Sequence, residues 1–233
     1  MNNKKLSIKL SPGNNHLVNI LGSIDEKIEN NEKLIKSLKD FFFLKCNEFF
    51  ANLTEYQIKS LTEIATFTNG LPMQKYRPCT PNHLKVLKIK ELGQGCCDDN
   101  SDKCSIDIDD CYIVENGDVI FSWSGTLMVE LWMGEKCGLN QHLYKVTSKS
   151  YPKWFYYYWL NFYLPDFKNI ASGKATTMGH IKKEDLIKSQ IKVPSTMLGT
   201  EQFDTMINKI VFLNQENNKL NKLKAIYLKK FFG

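Results

Sequence analysis

Three stretches of the chain carry side chains whose types and spacing could do chemistry. The first, "FSWSGT" from Phe121 to Thr126, brackets a tryptophan with serines and runs into a glycine, close to the G-x-S-x-G turn that presents a nucleophilic serine. Phe121 stands where the leading glycine belongs, and His16, His83, His142 and His180 show no spacing that argues for a Ser-His-Asp set. The second, "SGKATT" from Ser172, ends like a phosphate-binding loop. Lys168 occupies the place of the first glycine, however, and alanine follows Lys174. The third is acidic: Asp98, Asp99, Asp102, Asp107, Asp109 and Asp110 lack the glycine and terminal glutamate of an EF-hand. Cys96, Cys97, Cys104 and Cys111, interleaved with them, lack the paired C-x-x-C spacing that closes a zinc site. There is no asparagine-or-aspartate-Pro-Pro-aromatic methylase motif and no glycine-rich dinucleotide loop. The expectation is a chain that binds, with no catalytic residue, no metal and no cofactor of its own.

The charge balance says what it would bind. The 31 basic residues exceed the 25 acidic ones to give +6, which modestly favours a polyanionic partner. Nearly all of that basic charge is lysine. Arg77 is the single arginine, and so the single candidate for a bidentate guanidinium contact to a guanine edge. The acidic run reads as a solvated loop on a face turned away from a nucleic-acid backbone. An odd number of cysteines, 7, fits reduced structural thiols. A 42% hydrophobic content with 12% aromatics demands a packed core. No window approaches the ~20 apolar residues of a membrane span, and "MNNKKLSIKLSPGNN" has no apolar signal-peptide region, so a cytoplasmic protein without membrane contact is expected.

The elements that must position such a binding surface are bounded by two heptad patterns. In the first, Leu21, Ile28, Ile35, Phe42 and Phe49 recur every seven residues, with Leu17, Ile24 and Leu38 in the companion positions. This predicts a helix of roughly 34 residues, about 50 Å long. In the second, Phe203, Ile210 and Phe231 alternate with Met206, Leu213, Leu220 and Tyr227, and Asn217 and Lys224 interrupt the first row. A shift of 182 residues carries Leu21, Ile24, Ile28 and Leu38 onto Phe203, Met206, Ile210 and Leu220, and "SIKLSPGNN" before the first helix is echoed by "QIKVPSTML" before the second. The pattern reads as an internal repeat of a short strand and a long helix. Exposed heptad seams must pair with each other, with a second copy or with another protein.

Between them, "LKVLKIKEL", "CYIVENGDVIFSW" and "QHLYKVTS" read as strands, with a turn at Asn116-Gly117. "PKWFYYYWLNFYL" reads as a buried helix of about three turns. The expected fold class is α+β, one globular domain over residues 52–196 mounted on two long coiled-coil-type helices within 1–51 and 197–233.

These residues carry a family resemblance. "NGDVIFSWSGTLMVELWMGEKCGLNQHLYKV" (Asn116 to Val146), "ASGKATTMGHIKKEDLIKSQIKVP" (Ala171 to Pro194) and "LGSIDEKIENNEKLIKSLKDFFF" (Leu21 to Phe43) resemble the DNA specificity subunit of type I restriction-modification enzymes. "ATFTNGLPMQKYRP" (Ala65 to Pro78) looks like the start of that family's target recognition domain. The resemblance implies a non-catalytic subunit that recognises double-stranded DNA at a bipartite site. It would direct methyltransferase subunits that carry S-adenosylmethionine and methylate adenine at N6, and a restriction/translocase subunit driven by ATP. Usual members carry two recognition domains. This sequence has one, with a helical region on each side, which implies a half-subunit that pairs as a homodimer and reads an interrupted palindrome. A coiled-coil scaffold without DNA contact is the alternative the heptads allow.

Within that frame, the loop Ser172 to His180 is the first candidate reading element: Lys174 for a phosphate, Thr176, Thr177 and His180 as short donors and acceptors. The segment Gly70 to Arg77 is the second, with Gln74 for adenine, Arg77 for guanine, and Lys75 or Tyr76 for the backbone. Strand alternation sets Phe121 and Trp123 on one side, as core, and Ser122 and Ser124 on the other, where they face DNA or satisfy neighbouring backbone groups. Leu21, Ile24, Ile28, Ile35, Leu38, Phe42, Phe203, Met206, Ile210, Leu213, Leu220 and Tyr227 are the expected helix and dimer interface.

Overall fold

The computed structural model describes residues 12–173 and 179–232, apart from the side chains of 12–15 and Phe232. In chain order its elements are α1 (Pro12–Ala51), β1 (Tyr56–Ser60), α2 (Leu61–Ile64), β2 (Thr66–Asn69), β3 (Leu84–Leu87), α3 (Ile89–Gln94), β4 (Lys103–Cys104), β5 (Ile113–Val114), β6 (Val119–Ser122), β7 (Met128–Leu131), β8 (Cys137–Leu139), β9 (Leu143–Thr147), α4 (Lys153–Ser172), α5 (Lys183–Lys188), β10 (Gln190–Pro194) and α6 (Glu201–Phe232). Helix and sheet are mixed. Two compact units emerge: α1 up to Ser37 with α6 from Phe212, and everything from Leu38 to Val211. Among the described residues no helix is long and apolar enough to cross a membrane.

In the first unit the two long helices run antiparallel, because Asn31 bonds Asn217 while the earlier Asp25 meets the later Lys224 at 2.5 Å. Leu17 and Ile24 are buried, Leu21, Ile28 and Ile35 are half-buried, and Leu213 is buried opposite them with Leu220 and Tyr227 half-buried. Both interruptions of the second heptad row are answered across the pair. Asn31 fills the companion position between Ile24 and Leu38 and donates to Asn217 Oδ1 at 2.8 Å, and Lys224 takes Asp25. Matched polar groups in an apolar seam fix register, since any slip would leave them without partners.

The second unit is built on two four-stranded sheets, ordered β2-β9-β6-β7 and β4-β3-β8-β5, with β1 and β10 forming a separate antiparallel pair. "CYIVENGDVIFSW" does contain two strands and a turn, with Gly117 at φ +86°, but β5 and β6 belong to different sheets and do not form a hairpin. "LKVLKIKEL" is half strand and half helix: β3 stops at Leu87, and α3 follows until Gly95, left-handed at φ +73°, ends it. The aromatic helix is longer than expected. α4 runs 20 residues and carries Pro165 inside it. Its faces bury Trp154, Phe155, Tyr157 and Trp159 against Phe42 and Phe50 of α1 and Phe203 of α6, with ring centroids 4.6 Å apart for Trp154–Phe203 and 4.7 Å for Phe50–Trp159. Rings at such distances add specific edge and tilted contacts to their burial. Phe42, Phe203 and Ile210 are fully covered by their own chain, and Leu38 and Met206 are half-covered, so this end of the seams is taken up internally.

Candidate nucleic-acid interface

One end of the β2-β9-β6-β7 sheet gathers several loops. The register places Asn69, where β2 ends, beside Tyr144, and Ser122, where β6 ends, beside both Leu143 and Met128, where β9 and β7 begin. The loops that leave these ends are 70–83, 123–127 and 140–142. Gly70 binds them together. Its N–H donates to Leu143 O at 3.0 Å, and a Cβ there would lie 2.2 Å from Asn140 O and 2.4 Å from Leu139 O, so this close backbone approach requires glycine. The chain returning from α4 completes the set. Residues 179–181 lie antiparallel along 123–125, with Gly125 N to Gly179 O at 3.1 Å and Ile181 N to Trp123 O at 2.8 Å.

At the centre lies Trp123. The sequence predicts it as core, but the strand ends at Ser122 and alternation ends with it. Trp123 is half-exposed, while Ser122 and Ser124 are buried. Ser122 Oγ donates to Thr126 O at 2.8 Å, with Ser124 O also within reach at 3.2 Å, so it ties the turn together and does not stand on the surface. The indole N–H of Trp123 donates to Asn69 Oδ1 at 3.0 Å. Its ring lies 5.7 Å from Tyr144, 6.0 Å from His142 and 6.4 Å, edge-on, from His180.

Two of these side chains are held by partners that fix their chemistry. An indole nitrogen only donates, so the atom of Asn69 facing it is the carbonyl oxygen and the amide NH2 remains to donate elsewhere. Ser124 Oγ and His142 Nδ1 lie 2.9 Å apart, and among the described residues Nδ1 is the acceptor that the buried hydroxyl finds.

Beside Trp123 is a cleft of ≈ 680 Å³ lined by Thr62, Thr66, Phe67, Asn69, Tyr144 and Lys183. A second, ≈ 350 Å³, lies between Gly125–Thr126 and Lys168, Ser172 and Gly179. Lysines therefore flank the loop end on both α4 and α5.

The remaining predicted reading residues fall as follows. Gln74, Lys75, Tyr76 and Arg77 are all exposed. Gln74 and Arg77 line a ≈ 300 Å³ cleft, but Asp102 and Lys103 line it too. Asp102, from the acidic run, thus shares this cleft, with its carboxylate bonded to Lys88. His180 stands in the central cluster. Lys174, Thr176 and Thr177 lie outside the described residues. Asn69, His142, Tyr144 and Lys183 stand at this loop end with Trp123, although none of the five is among the reading residues expected from the sequence. The one available signal was Asn-Gly at the end of an alternating stretch, a strand ending in a tight backbone approach.

A family model described as the type I restriction modification DNA specificity domain matches residues 54–227. Comparison with curated proteins gives no match. Among solved structures, the type I restriction-modification system S subunit from M. genitalium superposes with a TM-score of 0.55 at 14% identity, covering 94% of this chain and 60% of that one. The HsdS subunit from Thermoanaerobacter tengcongensis gives 0.49 at 16% identity, over 92% of this chain and 53% of that one. A chain from the type I R-M system, from work on its complex assembly and conformational transition, gives 0.48 at 17%, over 95% and 60%. This chain thus spans between 53% and 60% of the length of these solved chains. The M. genitalium superposition shows a shared fold. With three quarters of its length matched by one family model, the chain belongs to the type I restriction modification DNA specificity domain family.

Proposed function

We propose that this chain is a sequence-recognition subunit that reads one half of a split DNA site and brings an adenine-N6 methyltransferase, and a restriction/translocase subunit where the system has one, to that site. S-adenosylmethionine and ATP would be bound by those partners. The family match over residues 54–227 carries the reading, and the gathering of four loop segments at one sheet end supports it. Phosphate contacts fall to the exposed lysines Lys75, Lys168, Lys182 and Lys183, and to Lys174. Base contacts fall to the Trp123 cluster with His180, to Thr176 and Thr177, and to Gln74, Tyr76 and Arg77, so that positioning and readout are divided as in other DNA readers. Ser124 acts through His142, and Ser122 is left out because it is buried.

A homodimer is supported by the long helix on each side of the recognition domain and the apolar residues those helices leave exposed. The heptad seam is already occupied within the chain, so the second copy would meet other faces of the long helices, where Val18 and Leu34 are exposed on α1 and Phe212, Leu223 and Ile226 on α6. Recognition domains at 52–196 would then be carried on paired helices, and twofold symmetry would require a palindromic, interrupted site.

The test is DNA binding as a function of salt. A reader of phosphates loses affinity linearly in log–log terms as counterions compete, with a slope of about −0.9 per phosphate neutralised. A scaffold protein shows no such binding, and that result would overturn the proposal.

A further inference from the structure

Two of the free cysteines, Cys97 and Cys137, meet beneath the loop that joins α3 to β4. Cys137 opens β8 and is fully buried in a core with Leu87, Val114 and Leu139, and the half-buried Cys97 packs against that core from the loop. The Cys137 thiol donates a hydrogen bond to the Cys97 sulfur, which also lies 3.9 Å from Val86 O on the strand that pairs with β8. Burial divides the two: solvent reaches Cys97 and does not reach Cys137. Charge divides them in the same sense. The bond from Cys137, helped by the Lys85 ammonium, holds the Cys97 thiol below the ordinary cysteine range, against burial and the carboxylates of Glu91 and Glu135. The same bond, with burial, holds the Cys137 thiol above that range. An accessible sulfur with thiolate character is the one that an oxidant attacks, and a second thiol in contact with it is placed to resolve the product. Cys104 stands apart, packed with Met73 and Val86 in another cluster.

We propose that Cys97 and Cys137 are a peroxide-responsive pair that closes to an intramolecular disulfide and fastens the loop 95–102 to β8. In the first step the Cys97 sulfur attacks an oxygen of a hydroperoxide. The O–O bond breaks, the peroxide is reduced to an alcohol, or to water when it is hydrogen peroxide, and Cys97 is oxidised to a sulfenic acid. In the second step the Cys137 sulfur attacks the Cys97 sulfur, the S–S bond forms, and the sulfenic hydroxyl leaves with the Cys137 proton as water. Cys97 lies outside any helix or strand, so movement of its loop brings the sulfurs to the bonded distance of about 2 Å. A dithiol reductant reverses the reaction. β8 runs directly into residues 140–142, so the fastening is made on a strand that leads to the loop end.

The test treats the whole chain, first fully reduced, with graded hydrogen peroxide. The remaining thiols are then alkylated, and the chain is digested without reductant for mass spectrometry. The expected product is one cross-linked pair of peptides, two hydrogens lighter than the reduced pair, that joins the loop to β8 and is lost on treatment with dithiothreitol. Cys96 shares the loop peptide and is exposed, so variants assign the sulfur. Cys96→Ser should keep the cross-link, and Cys97→Ser should abolish it and leave Cys137 alkylated. Cys137→Ala should stop the reaction at a Cys97 sulfenic acid that dimedone traps; if that variant does not fold, the other two decide.

Peroxide that oxidises Cys79, Cys96 or Cys111 while Cys97 and Cys137 are both recovered as alkylated thiols would overturn the pair. So would a cross-link that survives Cys97→Ser, or one that joins two copies of the chain.

Discussion

Replacing Asn31 by leucine should destabilise the helix pair, although leucine is the better residue for an apolar seam. Asn31 is 3% exposed and Asn217 7%, and their side chains meet at 2.8 Å, with a further bond from Asn31 Nδ2 to Glu216 Oε2 at 2.7 Å. Leucine at position 31 leaves the Asn217 amide buried beside Leu213 without its partner, an orphaned group that costs about 1–3 kcal/mol. Glu216 loses less, since Lys27 still lies 3.4 Å from it. The new leucine returns part of the loss by its own burial, so a net destabilisation of about 1–2 kcal/mol is expected, and Asn217→Leu should behave alike. The double replacement strands nothing and inserts an apolar layer, so it should match or exceed the original stability while relaxing register. The double-mutant cycle should therefore show a coupling of about 1–3 kcal/mol, read from chemical denaturation at constant m-value. Additive single effects, or a stabilising Asn31→Leu on its own, would refute the pairing.

Gly70→Ala sets a Cβ 2.2 Å from Asn140 O and should cost about 3 kcal/mol or more in thermal unfolding, because the obstructing atoms are backbone and cannot swing aside. Ser122→Ala should cost about 1 kcal/mol, the ordinary net worth of a buried hydrogen bond, and leave the selected DNA motif unchanged; a changed motif would return Ser122 to the reading surface. At Lys153, burial holds the ammonium below the usual lysine range, while Asp118 and Asp204 act the other way. The unfolded chain therefore binds the proton more tightly, and stability rises with pH between the lowered value and the ordinary one of about 10.4. Denaturation from about pH 8 upward should show the original chain gaining on Lys153→Met, and a constant difference would contradict the assignment.

The long helices were legible because heptad spacing is a period that burial enforces directly: Leu17, Ile24 and Leu213 sit where it puts them. Even its breaks were informative, since Asn217 and Lys224 read as interruptions and prove to be cross-helix partners. Their partners Asn31 and Asp25 were not readable, because which polar groups face each other depends on the antiparallel register. The strands were harder. β7 and β8 are 4 and 3 residues long, too short for alternation to show, and α3 follows β3 with only Lys88 between them. At the site, "FSWSGT" was read by continuing strand alternation through Trp123. Hydrogen bonding decides otherwise: β6 ends at Ser122, the chain turns, and Ser122 is buried while Trp123 is left half-exposed. The convergence of Asn69, Trp123 and His142 is a product of sheet order β2-β9-β6, which no local pattern encodes.

The central claim, that this chain chooses where a partner methylates, is tested most directly by coexpressing it with a type I methyltransferase subunit. N6-methyladenine is then mapped across the host DNA by single-molecule sequencing. The account predicts methylation at an interrupted palindromic motif, present only when this chain is present. Both proteins soluble and copurifying, with no methylated motif, would contradict it.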